Sequence, residues 1–282
     1  MDSLRPKYRL ERLLRRFGLP KSTYEYHHAK REARDKYAEV KRLIVEIFEQ
    51  SRRTYGYRRI RLALRLKAGL RLSGKTVLRL MRELGLKPRQ PKRSRYRSYK
   101  KQSLAPEPNL LARDFESQEV CQKLVSDVTE FQVCGTKQYL SPLIDLFNGE
   151  VVGYSVSSSP TVSFVNQMFK GLKDRIPEGA HPLVHTDQGS QYWHKSYRQN
   201  LAALGAVQSM SRKGNCQDNA PAESFFGHLK TEFFYGTRFK SVAEFLEGLD
   251  DYIGWYNRDR IRCDLGGLSP VDYREQHQAA RM

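Results

Sequence analysis

The chain has 282 residues, with 50 Lys and Arg against 31 Asp and Glu, a net charge of +19 and a pI near 9.8. Hydrophobic residues at 39% and aromatics at 11% exclude a disordered chain, and the basic excess points to a polyanionic partner. A mean hydropathy of −0.69, with no apolar run near the roughly 18 residues of a spanning helix, excludes a membrane protein of the helical kind.

Four cysteines (Cys121, Cys134, Cys216, Cys263) form no CxxC pair, so neither a zinc ribbon nor a disulfide framework is signalled. The N-terminus, MDSLRPKYRLERLLRRFGLPK, is basic throughout and has no apolar core of a secretory signal. The expected compartment is the cytoplasm.

Charge is concentrated in the first third. Residues 1–101 carry 32 Lys and Arg against 9 Asp and Glu, a net +23, whereas the remainder is net −4. In DKYAEVKRLIVEIFEQ, residues 35–50, Val40, Leu43, Ile44, Ile47 and Phe48 fall at helical spacing. A second short helix follows Gly56, with Tyr57, Ile60 and Leu64 on one face. A third begins at an N-cap, Ser73, buries Val77, Leu80, Met81 and Leu84, and stops at Gly85. Its other face carries Lys75, Arg79 and Arg82, which suits a helix-turn-helix whose last helix meets DNA. An ordinary three-helix bundle with a solvated basic face fits the same pattern.

Residues 1–86 thus read as a small all-α, basic, helix-turn-helix-like region, and residues 87–119 as a linker. KPRQPKRSRYRSYKK, residues 87–101, holds eight basic residues in fifteen, with two prolines, Tyr96 and Tyr99. That composition resists a packed core and suits tracking of a phosphate backbone, with Lys92, Arg93, Arg95 and Arg97 as candidate contacts. A solvated hinge is the plainer alternative.

From Lys123 the pattern changes. KLVSDVTEFQV alternates as a strand, QYLSPLIDLFN and VVGYSVSSS follow as two more, and tight turns between them predict an antiparallel meander. A helix over 161–175, a strand in PLVHTD, a helix over 191–204, a strand in AVQSMS and a helix from NAPAESFFGHLKTEFFY complete the string. The last helix places Ala222, Phe225, Phe226, Leu229 and Phe233 on one face. The class is α/β, a mixed sheet flanked by helices, over residues 120–240. Residues 241–282 read as a C-terminal helical extension.

Three acids stand out. Asp127 falls in mid-strand, where Asp is disfavoured and needs a reason. Asp187 ends the strand PLVHTD, at the end where α/β folds place ligand sites. Glu223 lies in the first turns of the late helix, at the edge of its buried face. Each has a structural alternative: Asp127 a salt bridge, Asp187 an N-cap, Glu223 a favourable partner of the helix dipole. Glu130 and Asp145 lie near the same strands.

Together, in this order, with 35 residues between Asp187 and Glu223, they form a specific pattern. The stretches SDVTEF, HTDQGSQY, SMSRKGNCQDNAPAESFFGHLKTEFFY and YNRDRIRCDLGGLSPVDY closely resemble the DDE core of retroviral-integrase-like transposases. They are most similar to the second reading frame of the IS-three family of bacterial insertion sequences, in its IS-one-fifty subgroup. YGYRRIRLALRL and TVLRLMRELGLKP resemble that family's helix-turn-helix-like segment, so the resemblance covers roughly residues 50–275.

The resemblance implies an RNase H-like fold with Asp127, Asp187 and Glu223 as a catalytic, metal-binding triad. It implies a basic DNA contact at Lys230, seven residues beyond Glu223, and matches Asp218 and Asn219 to the family's Asp-Asn-Ala motif. Arg212 and Lys213 complete the candidate DNA contacts of the core. Leu124 departs from the family, which usually has Trp three residues before the first Asp; packing is altered, ligation is not. No leucine-zipper heptads follow Met1; the family's upstream frame supplies them, so the expectation is of a downstream half that works with that partner or as a fusion.

Carboxylates in that arrangement suit Mg²⁺, a hard cation that prefers oxygen ligands. Two Mg²⁺ ions about 3.5–4 Å apart, with Mn²⁺ as a substitute, would serve cleavage of a phosphodiester by water and transfer of the freed 3′-hydroxyl. The implied partners are the element's terminal inverted repeats, target DNA and a second copy of the chain. His185 is expected to hydrogen-bond rather than ligate. No GxSxG elbow or P-loop is present. The alternatives are a non-catalytic DNA-binding regulator on the same fold and a metal nuclease acting on RNA or hybrid duplex.

Overall fold

The structure, a computed structural model, describes residues 2–32, 35–89 and 107–281. It divides into two compact units, Met1–Glu46 and Ile47–Met282. The division falls within a helix. In the first unit, α1 (Leu10–Phe17) buries Leu13 and Leu14 and ends at Gly18, whose left-handed backbone returns its N–H to Leu14 and Arg15. Helix α2 (Lys21–Glu32) follows, and α3 (Ala38–Gln50) crosses into the second unit.

The second unit opens with the short helices expected of a helix-turn-helix. Helix α4 (Tyr57–Ala68) buries Ile60, Ala63 and Leu64 and is closed by left-handed Gly69. Helix α5 (Gly74–Glu83) starts where the side chain of Ser73 accepts the Thr76 N–H at 3.1 Å, and buries Val77, Leu80 and Met81. The chain leaves it at Gly85, φ +68°. These helices share the unit with the C-terminal segment. The Tyr55 hydroxyl accepts the Ile261 N–H, and Arg52 pairs with Asp251 while lying 5.1 Å from the Trp255 ring.

The sheet is built from β1 (Lys123–Ser126), β2 (Thr129–Val133), β3 (Thr136–Asp145), β4 (Val151–Ser157), β5 (Leu183–Thr186) and β6 (Val207–Met210). One edge of β3 pairs antiparallel with both β2 and β1, its other edge with β4, and β1 pairs parallel with β5, which pairs parallel with β6. The expected meander is therefore present, with one correction: the strand expected over 123–133 is broken at Asp127 and Val128. The Asp127 carboxylate accepts the Val128 N–H at 2.7 Å, which takes that amide out of the ladder. Asp127 is thus at the carboxyl end of β1, not in mid-strand.

Helices expected as single pieces are also interrupted. Over 161–175 the structure has α6 (Val162–Gln167), then turns through left-handed Gly171 to a 3₁₀ turn, Lys173–Arg175. Over 191–204 a 3₁₀ turn, Ser190–Trp193, precedes α7 (Lys195–Ala203). Helix α8 (Ala220–Leu229) passes into a π turn, Lys230–Phe234, in which Tyr235 N–H reaches the Lys230 carbonyl. Helices α9 (Val242–Arg258) and α10 (Pro270–Ala279) end the chain.

One face of the sheet packs Leu124, Leu143, Val152 and Val184 against Phe164, Val165, Met168, Tyr192, Tyr197 and Leu201. Each such side chain contributes about 1.5–3 kcal/mol on full burial. Leu124 is fully buried there, filling a position where the family usually has a larger ring. Gly153 on β4 lets α6 approach: a Cβ at that residue would sit 2.2 Å from the Met168 carbonyl oxygen. Among the described residues no helix is long and apolar enough to cross a membrane.

Candidate active site

The parallel register of β1 and β5 sets the site. Leu124 lies beside Val184 and Val125 beside His185. Continued by two residues, that register brings Asp127 level with Asp187, both just past the carboxyl ends of adjacent parallel strands. Asp187 is held by its own turn, its Oδ1 accepting the Gly189 N–H at 2.9 Å. Burial pushes the Asp127 carboxyl up to about 8, with the negative charges of Asp187 and Glu223 adding to it and the Val128 N–H and Lys230 opposing. Burial raises Asp187 as well, against its Gly189 hydrogen bond.

Glu223 is exposed in the first turn of α8, close enough for its charge to act on Asp127. The start of α8 is pinned to the site. The Asn219 side chain donates Nδ2–H to the Ser126 carbonyl at 3.0 Å, one residue before Asp127. Both residues are buried, and the Asn219 Oδ1 has no hydrogen-bond partner.

Asp218, fully buried, holds the loop before α8. Its carboxylate accepts from Arg212 Nη2 (2.8 Å), Nε (2.9 Å) and backbone N–H (3.0 Å), from Arg113 Nε (2.8 Å) and from Asn109 Nδ2 (3.0 Å). Those hydrogen bonds, the Arg212 side chain first, hold its carboxyl well below the usual carboxylate range. Asp218 stands in the motif read from the sequence. Its partners Asn109 and Arg113 come from the segment read as linker, some hundred residues away, and no sequence signal marks them.

Lys230 opens the π turn with its ammonium 5.4 Å from the centre of the Phe131 ring. Burial lowers its pKa, against the attraction of Glu130 and Asp127. Arg212 is committed to Asp218, although its side chain stays 59% exposed, while Lys213 is exposed in the neighbouring turn. Lys75, Arg79 and Arg82 are exposed on α5, and Arg79 pairs with Glu83 one turn on. Lys92, Arg93, Arg95 and Arg97 lie outside the described residues. His185 is buried between Ser209 Oγ (2.8 Å) and Ser211 Oγ (3.0 Å), and burial lowers it to about 4, which keeps it neutral at pH 7.

Asp145, a nearby alternative, is buried and taken up by the N–H groups of Cys121 and Phe147. Glu130 pairs with Lys137 on the exposed side of β2. Among the described residues no three His, Cys, Asp or Glu side chains are gathered closely enough to hold a metal ion as they stand. Asp127 and Asp187 form a paired half-site, and Glu223 stands beside it. The donor set is of hard oxygens, and the burial and carboxylate repulsion that raise Asp127 are what a bound divalent cation offsets, so the residues fit such an ion in chemistry.

A half-buried carboxylate pair thus lies at the ends of parallel strands, with a third acid on the following helix. Family models described as integrase core domain match residues 117–216 and 223–277, and one described as HTH-like domain matches residues 35–94. The chain is 44% identical over 282 residues to transposase InsK of insertion sequence element IS150 from Escherichia coli (strain K12), covering 100% of this chain and 99% of that one. It is 40% identical over 276 residues to a protein described as a transposase for insertion sequence element IS1353 from Shigella flexneri, covering 97% of this chain and 54% of that one. Among solved structures, the HTLV-2 integrase catalytic core domain in complex with magnesium aligns with a TM-score of 0.43 at 14% identity, over 56% of this chain and 98% of that one. The chain belongs to the IS-three family of insertion-sequence transposases, with an HTH-like domain ahead of an integrase core.

Proposed function

We propose that this chain cuts and joins DNA at the ends of an insertion sequence, through a divalent-metal site formed by Asp127, Asp187 and Glu223. The observation that carries the reading is the Asp127–Asp187 pair: two half-buried carboxylates, level on adjacent parallel strands, whose charges a cation would offset. When bound, Mg²⁺ or Mn²⁺ supplies charge stabilisation for in-line displacement at phosphorus, first by water and then by the freed 3′-hydroxyl.

The chain's own residues do the positioning. Asp127 and Asp187 present oxygens from two strand ends that the sheet holds in register. Asn219 ties the start of α8 to Ser126, so Glu223 is brought in from a third element at a defined height. Lys230 adds a positive charge beside Asp127 that suits a DNA phosphate. The basic face of α5 extends the DNA contact, and the basic residues of 92–97 add to the grip on the element's terminal repeats. Two ends are joined in one complex, so the active form is an oligomer of this chain on DNA, with the upstream-frame protein as a further partner.

The test uses labelled DNA carrying the flanking element ends, with wild type and Glu223→Gln, in Mg²⁺ or chelator, resolved on a denaturing gel. Wild type nicks the ends and transfers strands only with Mg²⁺, while the variant binds and does neither. If both bind equally and neither cuts, even with the upstream-frame protein added, the reading fails and a non-catalytic DNA-binding role replaces it.

A further inference from the structure

On the side of α8 away from Glu223 lies a cleft of about 340 Å³, adjoined by one of about 190 Å³. Pro221, Ser224, Phe225 and His228, spaced i, i+3, i+4 and i+7, turn one face of α8 into its wall. Glu223 falls on the other face. Arg59 from α4 and Arg260 and Arg262 from the segment after α9 also line it.

Two of the three arginines that line this cleft are held in close pairs, and the Asp145 carboxylate that also lines it accepts the Cys121 and Phe147 N–H groups. Glu232 takes Arg260 in a two-pronged pair, Nε at 2.8 Å and Nη2 at 2.6 Å, and accepts the Tyr252 hydroxyl at 2.9 Å. Asp264 takes Nε and Nη2 of Arg262. Arg59 is left 3.8 Å from Glu232, too far for a hydrogen bond, with its guanidinium 5.6 Å from the centre of the Tyr55 ring. Its side chain is only 22% exposed, yet among the described residues it makes no hydrogen bond. Burial and the neighbouring Arg260 both work against its charge. A guanidinium presents five N–H donors in a fork that matches phosphate oxygens. The YGYRRI stretch is otherwise accounted for by packing, since Tyr55 and Ile60 are buried and Gly56 precedes α4.

We propose that this cleft binds a phosphate group of the DNA backbone, with Arg59 as its principal ligand and the Ser224 hydroxyl as a further donor. The contact is a second grip on DNA, separated from the carboxylates by the thickness of α8. It takes DNA as the partner from the reading above.

The experiment uses the full chain in chelator, so no cutting is involved and its outcome is read apart from catalysis. Binding of a fluorescein-labelled 30-base-pair duplex is followed by anisotropy over a range of NaCl concentrations, for wild type, Arg59→Met, Arg59→Lys and Ser224→Asp. Arg59→Met lowers the slope of log affinity against log salt by about 1, and Arg59→Lys restores it. Ser224→Asp, at an exposed position, weakens binding about tenfold without disturbing the fold. In parallel, inorganic phosphate raises the melting temperature of wild type, relative to chloride of equal ionic strength, but not that of Arg59→Met. An unchanged slope in Arg59→Met with a wild-type melting curve overturns the proposal, as does unchanged binding by Ser224→Asp. Stabilisation by phosphate with no change in the DNA slope overturns the DNA assignment and leaves a site for the free anion.

Discussion

Asp218→Asn removes the charge at the centre of the clamp that holds the loop before α8. Asp218 is fully buried and accepts from two arginines and Asn109. Hydrogen bonds to a charged acceptor contribute about 1.5–3 kcal/mol each. The arginine side chains are 39% and 59% exposed, so solvent screening discounts that figure. An Asn side chain keeps one accepting oxygen but turns an amide NH₂ toward donors that already face inward. The expected loss is roughly 2–4 kcal/mol, which for a unit of this size is about 5–15 °C in melting temperature. The folded carboxyl titrates well below its unfolded value of about 3.9, so its stabilisation is complete above that pH and is lost as pH falls below it. Thermal unfolding at pH 7, 5 and 3 measures both parts: a wide gap between wild type and variant at pH 7 and 5, narrowing at pH 3. A variant that melts within about a degree of wild type at pH 7, or a gap that does not narrow in acid, refutes the reasoning.

Other consequences follow from single contacts. Asn219→Ala leaves the Ser126 carbonyl buried without its donor; DNA affinity is retained while end cleavage falls at least tenfold, and equal cleavage would mean that Glu223 is positioned by other contacts. Gly153→Ala drives a methyl into the Met168 carbonyl and costs about 1–3 kcal/mol, read as a lower urea midpoint with an unchanged m-value. His185 is buried neutral with a value lowered to about 4, so its folded form loses stability as pH falls from its unfolded value of about 6.5 toward 4, by up to about 3 kcal/mol. NMR titration of the imidazole should show no protonation down to pH 5; a midpoint near 6.5 would contradict its place between Ser209 and Ser211.

The order of acids was legible because each falls at a boundary that sequence marks: Asp187 after an apolar strand, Glu223 at the start of an amphipathic helix. Asp127 was legible as an acid in an extended stretch, but not as a strand end. The break depends on its carboxylate capturing the next amide, which alternation of apolar residues cannot reveal. Ser73 and Gly85 were readable as the bounds of α5, since capping chemistry is local. The Asp218 clamp and the Arg59–Glu232–Arg260 group were not readable, because each gathers side chains from distant segments. The same limit hid the joining of α4 to the C-terminal segment, where Tyr55 meets Ile261 across 206 residues. The π turn after Leu229 has no sequence signal either. FGHLKTEFFY continues a helical period straight through it.

Whether the carboxylates hold a metal during cutting is tested by exchanging their oxygens for sulfur. Asp127→Cys and Asp187→Cys replace a hard oxygen by sulfur, a ligand that Mg²⁺ takes poorly and Mn²⁺ tolerates better. Each variant should bind element-end DNA like wild type, lose cutting and strand transfer in Mg²⁺, and recover a measurable part in Mn²⁺. Cutting by either variant in Mg²⁺ at the wild-type rate, or cutting by wild type in the presence of chelator, would contradict the metal site.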